Sequence, residues 1–191
     1  MNKYFIFGLL CFLHLGVFAQ MRNQDMPSNG REQIFVGSGL NLGFFNGLIL
    51  GLNPEVGYSL NRFVDVGIAT NLTYITRNYG NGSDRQFIAG GGPYLRLWPI
   101  NSFFAGGQFE YNYVSFSNVS NNVVTNRIRF GAPSMLAGIG YGTRFVGRSQ
   151  FYTSIMVDVL NDPQSPYIDA MGRKEPVFRT AFTFYLRSKG R

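Results

Sequence analysis

Residues 63–78 read FVDVGIATNLTYITRN, and apolar and polar side chains alternate along them. Val64, Val66, Ile68, Leu72 and Tyr74 fall on one face, and Asp65, Gly67, Ala69, Asn71, Thr73 and Arg77 on the other. A period of two marks a β-strand with two unlike faces. The pattern recurs towards the C-terminus. Phe103, Ala105, Phe109, Tyr111 and Tyr113 oppose Gln108, Glu110 and Asn112. Phe151, Ile155, Val157 and Val159 oppose Gln150, Ser154 and Asp158, and Phe178, Phe182, Phe184 and Leu186 oppose Arg179, Thr183 and Arg187.

Working outward from these stretches, the alternation predicts eight strands, at 33–45, 48–60, 63–78, 85–98, 102–117, 127–145, 149–160 and 176–187. Short turns are expected after the second, fourth and sixth, near Asn61-Arg62, Pro99-Ile100-Asn101 and Gly147-Arg148. Longer polar loops are expected at 79–84, 118–126 and 161–175, with a short connection near Asn46-Gly47. This is the length pattern of an antiparallel up-and-down transmembrane β-barrel, with short periplasmic turns and longer external loops. An even strand number returns both chain ends to the same side.

The N-terminal stretch is a separate object. Lys3 is followed by an almost wholly apolar run, Tyr4 to Phe18, and Val17-Phe18-Ala19 precedes Gln20. This reads as a signal peptide over 1–19, cleaved after Ala19. The run is short for a membrane anchor helix. Cys11 lies mid-run after Leu9-Leu10, unlike a lipoprotein cysteine. Residues 20–32 are polar, with Pro27 and Gly30, and read as a flexible leader to the barrel at 33–191. Cleavage would remove Cys11 and His14, leaving no cysteine and no histidine.

Periodicity does not say which face is inside. An eight-stranded barrel has an interior just wide enough for side chains to fill, and about forty large apolar side chains would not fit there. Gly37, Gly39, Gly43, Gly51, Gly57, Gly67, Gly90, Gly92, Gly106, Gly138, Gly140 and Gly142 share the polar face. Glycine weakens a strand, so a crowded lumen explains it better than a solvated exterior. Only Lys174 and Lys189 remain as lysines after cleavage, where a soluble outer face would carry many Lys and Glu. The apolar face is therefore expected to point outward, into lipid.

That phase turns Glu55, Asp65, Glu110, Asp158, Arg77, Arg96, Arg144, Arg179 and Arg187 inward, as a lumen charge network. Buried charges must be paired or hydrated. Position along the strands suggests Asp158 with Arg179, Asp65 with Arg96, and one arginine shared by Glu55 and Glu110. A closed polar plug is expected rather than an ion pathway. Arg144, Arg148, Arg187, Lys189 and Arg191 gather at the expected periplasmic end and read as its wet rim.

Catalytic chemistry is not expected. Lipid-modifying barrel enzymes use a histidine base near a serine, which a chain without histidine lacks. Glu55 and Glu110 have no evident substrate access for acid–base work. No metal-ligand spacing is evident, and Asp162, Asp169 and Glu175 read as solvated loop acids rather than a calcium site. The glycines of 37–39 and 138–142 lie within strands and do not open a helix, so they are not nucleotide loops. No cofactor is expected. Nucleic acid is not expected as a partner, because the arginines are dispersed at one or two per strand.

Two segments carry a resemblance: Asn53-Pro54-Glu55-Val56-Gly57-Tyr58 followed by Val64-Asp65-Val66-Gly67, and Gly92-Pro93-Tyr94-Leu95-Arg96-Leu97-Trp98. They resemble the small outer-membrane β-barrel proteins of Bacteroidetes-type bacteria, which share their architecture with the OmpA and OmpX membrane domains. The resemblance covers about 33–191. It implies an outer-membrane location, contact with outer-membrane lipid and with the barrel assembly machinery during biogenesis, and no catalytic residues. The family usually ends on an aromatic residue; here Tyr185-Leu186 is followed by Arg187-Ser188-Lys189-Gly190-Arg191. The expected function is a non-enzymatic barrel that is structural or presents loops outward. The alternative is a barrel component of a transport or secretion assembly with an envelope partner.

Overall fold

The computed structural model describes residues 33–43, 47–79, 82–120, 123–168 and 172–186. The expected signal peptide, the whole leader, residues 44–46 of the first connection, and Asp169 and Arg187 lie outside them. Within them the chain is all-β, a single antiparallel sheet of eight strands that closes in a ring, with no helix among the described residues. The strands are β1 (Ile34–Gly43), β2 (Gly47–Ser59), β3 (Val64–Tyr79), β4 (Gly82–Ile100), β5 (Phe103–Ser120), β6 (Val123–Gly142), β7 (Gln150–Asp158) and β8 (Val177–Tyr185). Each pairs with the next in sequence, and β8 returns to β1 through Phe35↔Tyr185 to Leu40↔Thr180. The end that carries the start of β1 and the end of β8 is called the lower end below.

Two of the expected loops are strand instead. Tyr79 pairs with Gly82, so residues 79 and 82–84 belong to β3 and β4. Ser120 pairs with Val123, so most of 118–126 belongs to β5 and β6. Polar composition there reflects solvent on both faces of a projecting sheet and does not oppose extended backbone. Among the described residues the β7–β8 connection, between Asp158 and Val177, is the long loop. The lower turns are short, and Gly147 takes φ 84° in the turn closed by Arg148 N–H donating to the Phe145 carbonyl at 3.0 Å. That left-handed conformation suits glycine.

The strands are strongly staggered. A row of registered neighbours runs from Asp158 through Leu136, Gln108, Tyr94, Gly67, Gly57 and Phe35 to Tyr185. It starts at the upper end of β7 and arrives at the lower end of β8. Closing a sheet into a barrel requires this tilt and shear.

The apolar face points outward. Ile139 and Phe178 are each 63% exposed, and Ile68, Leu72, Phe109, Tyr111, Phe151, Ile155, Phe182 and Phe184 are exposed with them. The alternate positions are buried. The interior is not purely polar, however. Phe35, Tyr94, Trp98, Phe104, Tyr152 and Tyr185 also face inward, in two clusters with Ala69 and Ala181. Glycines in register on the neighbouring strands make room for them. A Cβ added at Gly57 would lie 2.3 Å from Tyr94 Oη and 2.4 Å from Phe35 Cζ, and one at Gly140 2.2 Å from Phe104 Cζ.

Candidate functional site

The lumen is lined by inward positions of all eight strands, and its charged residues form a series of layers. At the lower end Asp65 on β3 pairs with Arg144, which follows β6. Asp65 also accepts hydrogen bonds from Trp98 Nε1 at 2.9 Å and Ser59 Oγ at 2.6 Å. Arg144 donates further to the carbonyls of Arg62 at 3.0 Å and Asn61 at 2.8 Å. One fully buried arginine thereby ties the β2–β3 turn to the β6–β7 connection. Tyr185 completes this layer, bonded to Ser59 and Gln150.

In the next layer Arg96 on β4 reaches Glu55 on β2 with both terminal nitrogens. Tyr152 Oη lies 3.0 Å from Glu55 Oε2 and 2.5 Å from Arg96. The guanidinium stacks over the Tyr94 and Tyr152 rings, 4.2 Å from each centroid. Above it Arg179 on β8 donates to Glu110 Oε1 at 2.6 Å and to Gln108 Oε1 at 2.8 Å, both on β5. Each of these three arginines thus has a carboxylate and further neutral hydrogen-bond partners, as desolvation requires.

At the upper mouth, Ser165 and Tyr167 of the β7–β8 connection bond to the lumen residues. Tyr167 turns down and donates to Glu110 Oε2 at 2.6 Å, while its oxygen accepts from Asn71 Nδ2 at 2.7 Å. Ser165 bonds Asp158 Oδ2 and lies 3.0 Å from Ser134 Oγ. Asp158 also accepts from the backbone N–H groups of Met135 at 3.1 Å and Leu160 at 2.9 Å. Outside the mouth, Arg77 faces Glu175 at 3.8 Å with both side chains partly exposed.

These partners differ from those expected from position along the strands. Arg179 pairs with Glu110 and not Asp158, which uses the loop instead. Asp65 and Arg96 are direct register neighbours, yet each reaches across the lumen to another partner. Glu55 and Glu110 have separate arginines. Arg144 is buried and does not belong to a wet rim. Arg77 lies at the outer mouth, and Arg187 is outside the described residues. Asp162 caps a turn, accepting from Gln164 N–H at 2.8 Å. The inward Tyr152, Trp98 and Tyr94 were missed, although they share sequence phase with Ser154 and Arg96; Tyr167 carried no periodic signal.

Burial and the adjacent Glu110 carboxylate push the Tyr167 hydroxyl well above its ordinary value of about 10. A loop released to solvent titrates near that ordinary value, so docking is unaffected below about pH 10 and weakens as pH rises past it. Protease accessibility of 159–176 should therefore increase at high pH in the native chain. Tyr167→Phe should raise accessibility at neutral pH and lose that part of the pH dependence.

The side chains leave little empty space. A cavity of about 20 Å3 lies between Glu55, Tyr94, Arg96, Gln108, Tyr152 and Arg179, room for about one water molecule. Tyr94 Oη, Gln108 Nε2 and Arg179 Nε have no protein partner, and a water there would satisfy such groups. In comparisons with known proteins, the chain matches no family model and no curated protein.

Proposed function

We propose that the protein is a non-enzymatic outer-membrane β-barrel, exported by cleavage after Ala19, with a lumen sealed by ion pairs and loops or sheet presented outward. The observation that carries this is the outward apolar belt around a charged interior. On β4 the outward face runs from Phe87 through Leu95 and Leu97. That is the span of roughly 9–11 residues that carries a tilted strand across a bilayer. Tyr111, Tyr113, Phe103, Tyr141 and Phe151 provide aromatic side chains near both margins, as interfacial girdles do. A closed ring also leaves no strand edge exposed to hydrocarbon at the level of the belt. The resemblance to small outer-membrane barrels points the same way. The absence of histidine from 20–191 supports a scaffold over a lipid-modifying enzyme.

The test is heat-modifiable gel migration of the outer-membrane fraction. An unboiled band that migrates differently from the boiled one, absent from the soluble fraction, is the expected result. A protein that fractionates without detergent and shows no shift overturns the reading. A stoichiometric co-purifying envelope partner would favour the transport or secretion assembly instead.

A further inference from the structure

Above the apolar belt, on the outward face of the projecting sheet, lie three exposed arginines: Arg85 on β4, and Arg127 and Arg129 on β6. Ser117 on β5 sits between two of them, registered with Arg85 on one side and Arg127 on the other. Ser115 is registered with Phe87 and Arg129 in the next row. Two strand spacings separate Arg85 from Arg127, roughly 10 Å between Cα atoms. That leaves their side chains free to converge over Ser117. Arg127 Nε already donates to Ser117 Oγ at 3.4 Å.

Among the described residues nothing on this face neutralises them. The neighbouring Asp84 alternates to the opposite face of β4, where Asn118 Nδ2 donates to it at 2.9 Å. Among the described residues no carboxylate forms an ion pair with any of the three arginines. The buried arginines, by contrast, all face carboxylates. Immediately below the cluster the outward face turns apolar and aromatic, with Tyr74, Phe87, Tyr113 and Tyr111. A basic, serine-lined patch on the rim of an apolar belt is shaped for an amphiphile whose anionic head lies directly above its acyl chains. Arginine forks bind phosphate oxygens in two places.

We propose that Arg85, Arg127 and Arg129, with Ser115 and Ser117, bind the phosphate groups of an outer-leaflet lipid headgroup. This rests on the membrane reading above. It adds a lipid site on one side of the barrel, at the end opposite the start of β1 and the end of β8, where β4 to β6 rise above the belt. The acyl chains of the bound lipid lie along Phe87, Tyr113 and Tyr111, and the arginines hold its headgroup against the sheet.

The test uses the protein purified from outer membranes and reconstituted in phosphatidylcholine nanodiscs, with bis-phosphorylated lipid A as the probe and native mass spectrometry as the readout. The R85Q/R127Q/R129Q variant should hold the probe roughly 100-fold more weakly, from about fivefold per arginine. Dephosphorylated lipid A should show the same loss with the unaltered protein, and inorganic phosphate should not compete at matching concentration. The substitutions are on an exposed face, and an unchanged heat shift will confirm that the variant is folded. Equal lipid A retention by the variant overturns the site, and so does effective competition by inorganic phosphate. If the unaltered protein inserts into phosphatidylcholine but the variant retains lipid A equally, only this site falls. If the unaltered protein fails to insert at all, the membrane reading falls as well.

Discussion

Asp65→Ala is expected to stop most of the chain from closing into a stable barrel. Arg144, fully buried, would lose the Asp65 carboxylate, and Trp98 Nε1 and Ser59 Oγ would lose that acceptor. Removing one partner of a buried ion pair costs about 3–5 kcal/mol, and orphaned buried donors add about 1–3 kcal/mol each. The sum is comparable with the whole stability of a typical domain, about 5–15 kcal/mol. Trp98 is the only tryptophan in the chain, so its emission reports directly on this layer. The expected result is red-shifted Trp98 emission and loss of the heat-modifiable band. Asp65→Asn keeps an acceptor for Trp98 and should fold with a smaller loss. Normal emission and an unchanged band for Asp65→Ala would show that the layer contributes little.

Glu110→Leu is expected to damage the upper half of the lumen by about 3–5 kcal/mol for the same reason. Arg179 would keep only Gln108 Oε1 and the Tyr167 oxygen, 3.3 Å away, as acceptors, and Tyr167 would lose the carboxylate it donates to. The loop 159–176 would then be held mainly by Ser165 and by Tyr167's bond from Asn71. The denaturation midpoint should fall, and the loop should become protease-sensitive before the barrel unfolds. Adding Arg179→Met removes the unpaired charge and should recover most of the midpoint, while the loop stays labile. If the double variant is no better than Glu110→Leu alone, the cost is not that of an unpaired buried arginine.

The three lumen layers explain why an interior this narrow tolerates so many charges. Each arginine is matched to one carboxylate by geometry, and aromatic rings fill the volume between layers. Arg96 shows both features, bound to Glu55 and sandwiched by Tyr94 and Tyr152. Gly67, the register neighbour of Tyr94, and Gly57 in the same row are needed because the Tyr94 ring occupies the space a side chain would take. The proposed seal therefore depends as much on the inward aromatics as on the ion pairs.

The alternation in 63–78 was enough to establish strands, and side-chain volume, the placement of glycine and the scarcity of lysine were enough to assign the outward face. Both are local: a period of two and a count of side-chain volume suffice. Polarity misled at 79–84 and 118–126, because a projecting sheet wet on both faces has loop-like composition. Partner choice in the lumen was beyond the sequence. Alternation says which face a residue occupies, but tilt and stagger decide its height, and a long arginine can bypass its register neighbour. Asp65 and Arg96 lie directly opposite each other and still bind elsewhere, and Tyr167 reaches Glu110 from a loop without any period. The chain's local pattern determined a ring of strands, apolar without and charged within; only closing the ring decided which charges meet, because that contact runs across the lumen and not along the chain.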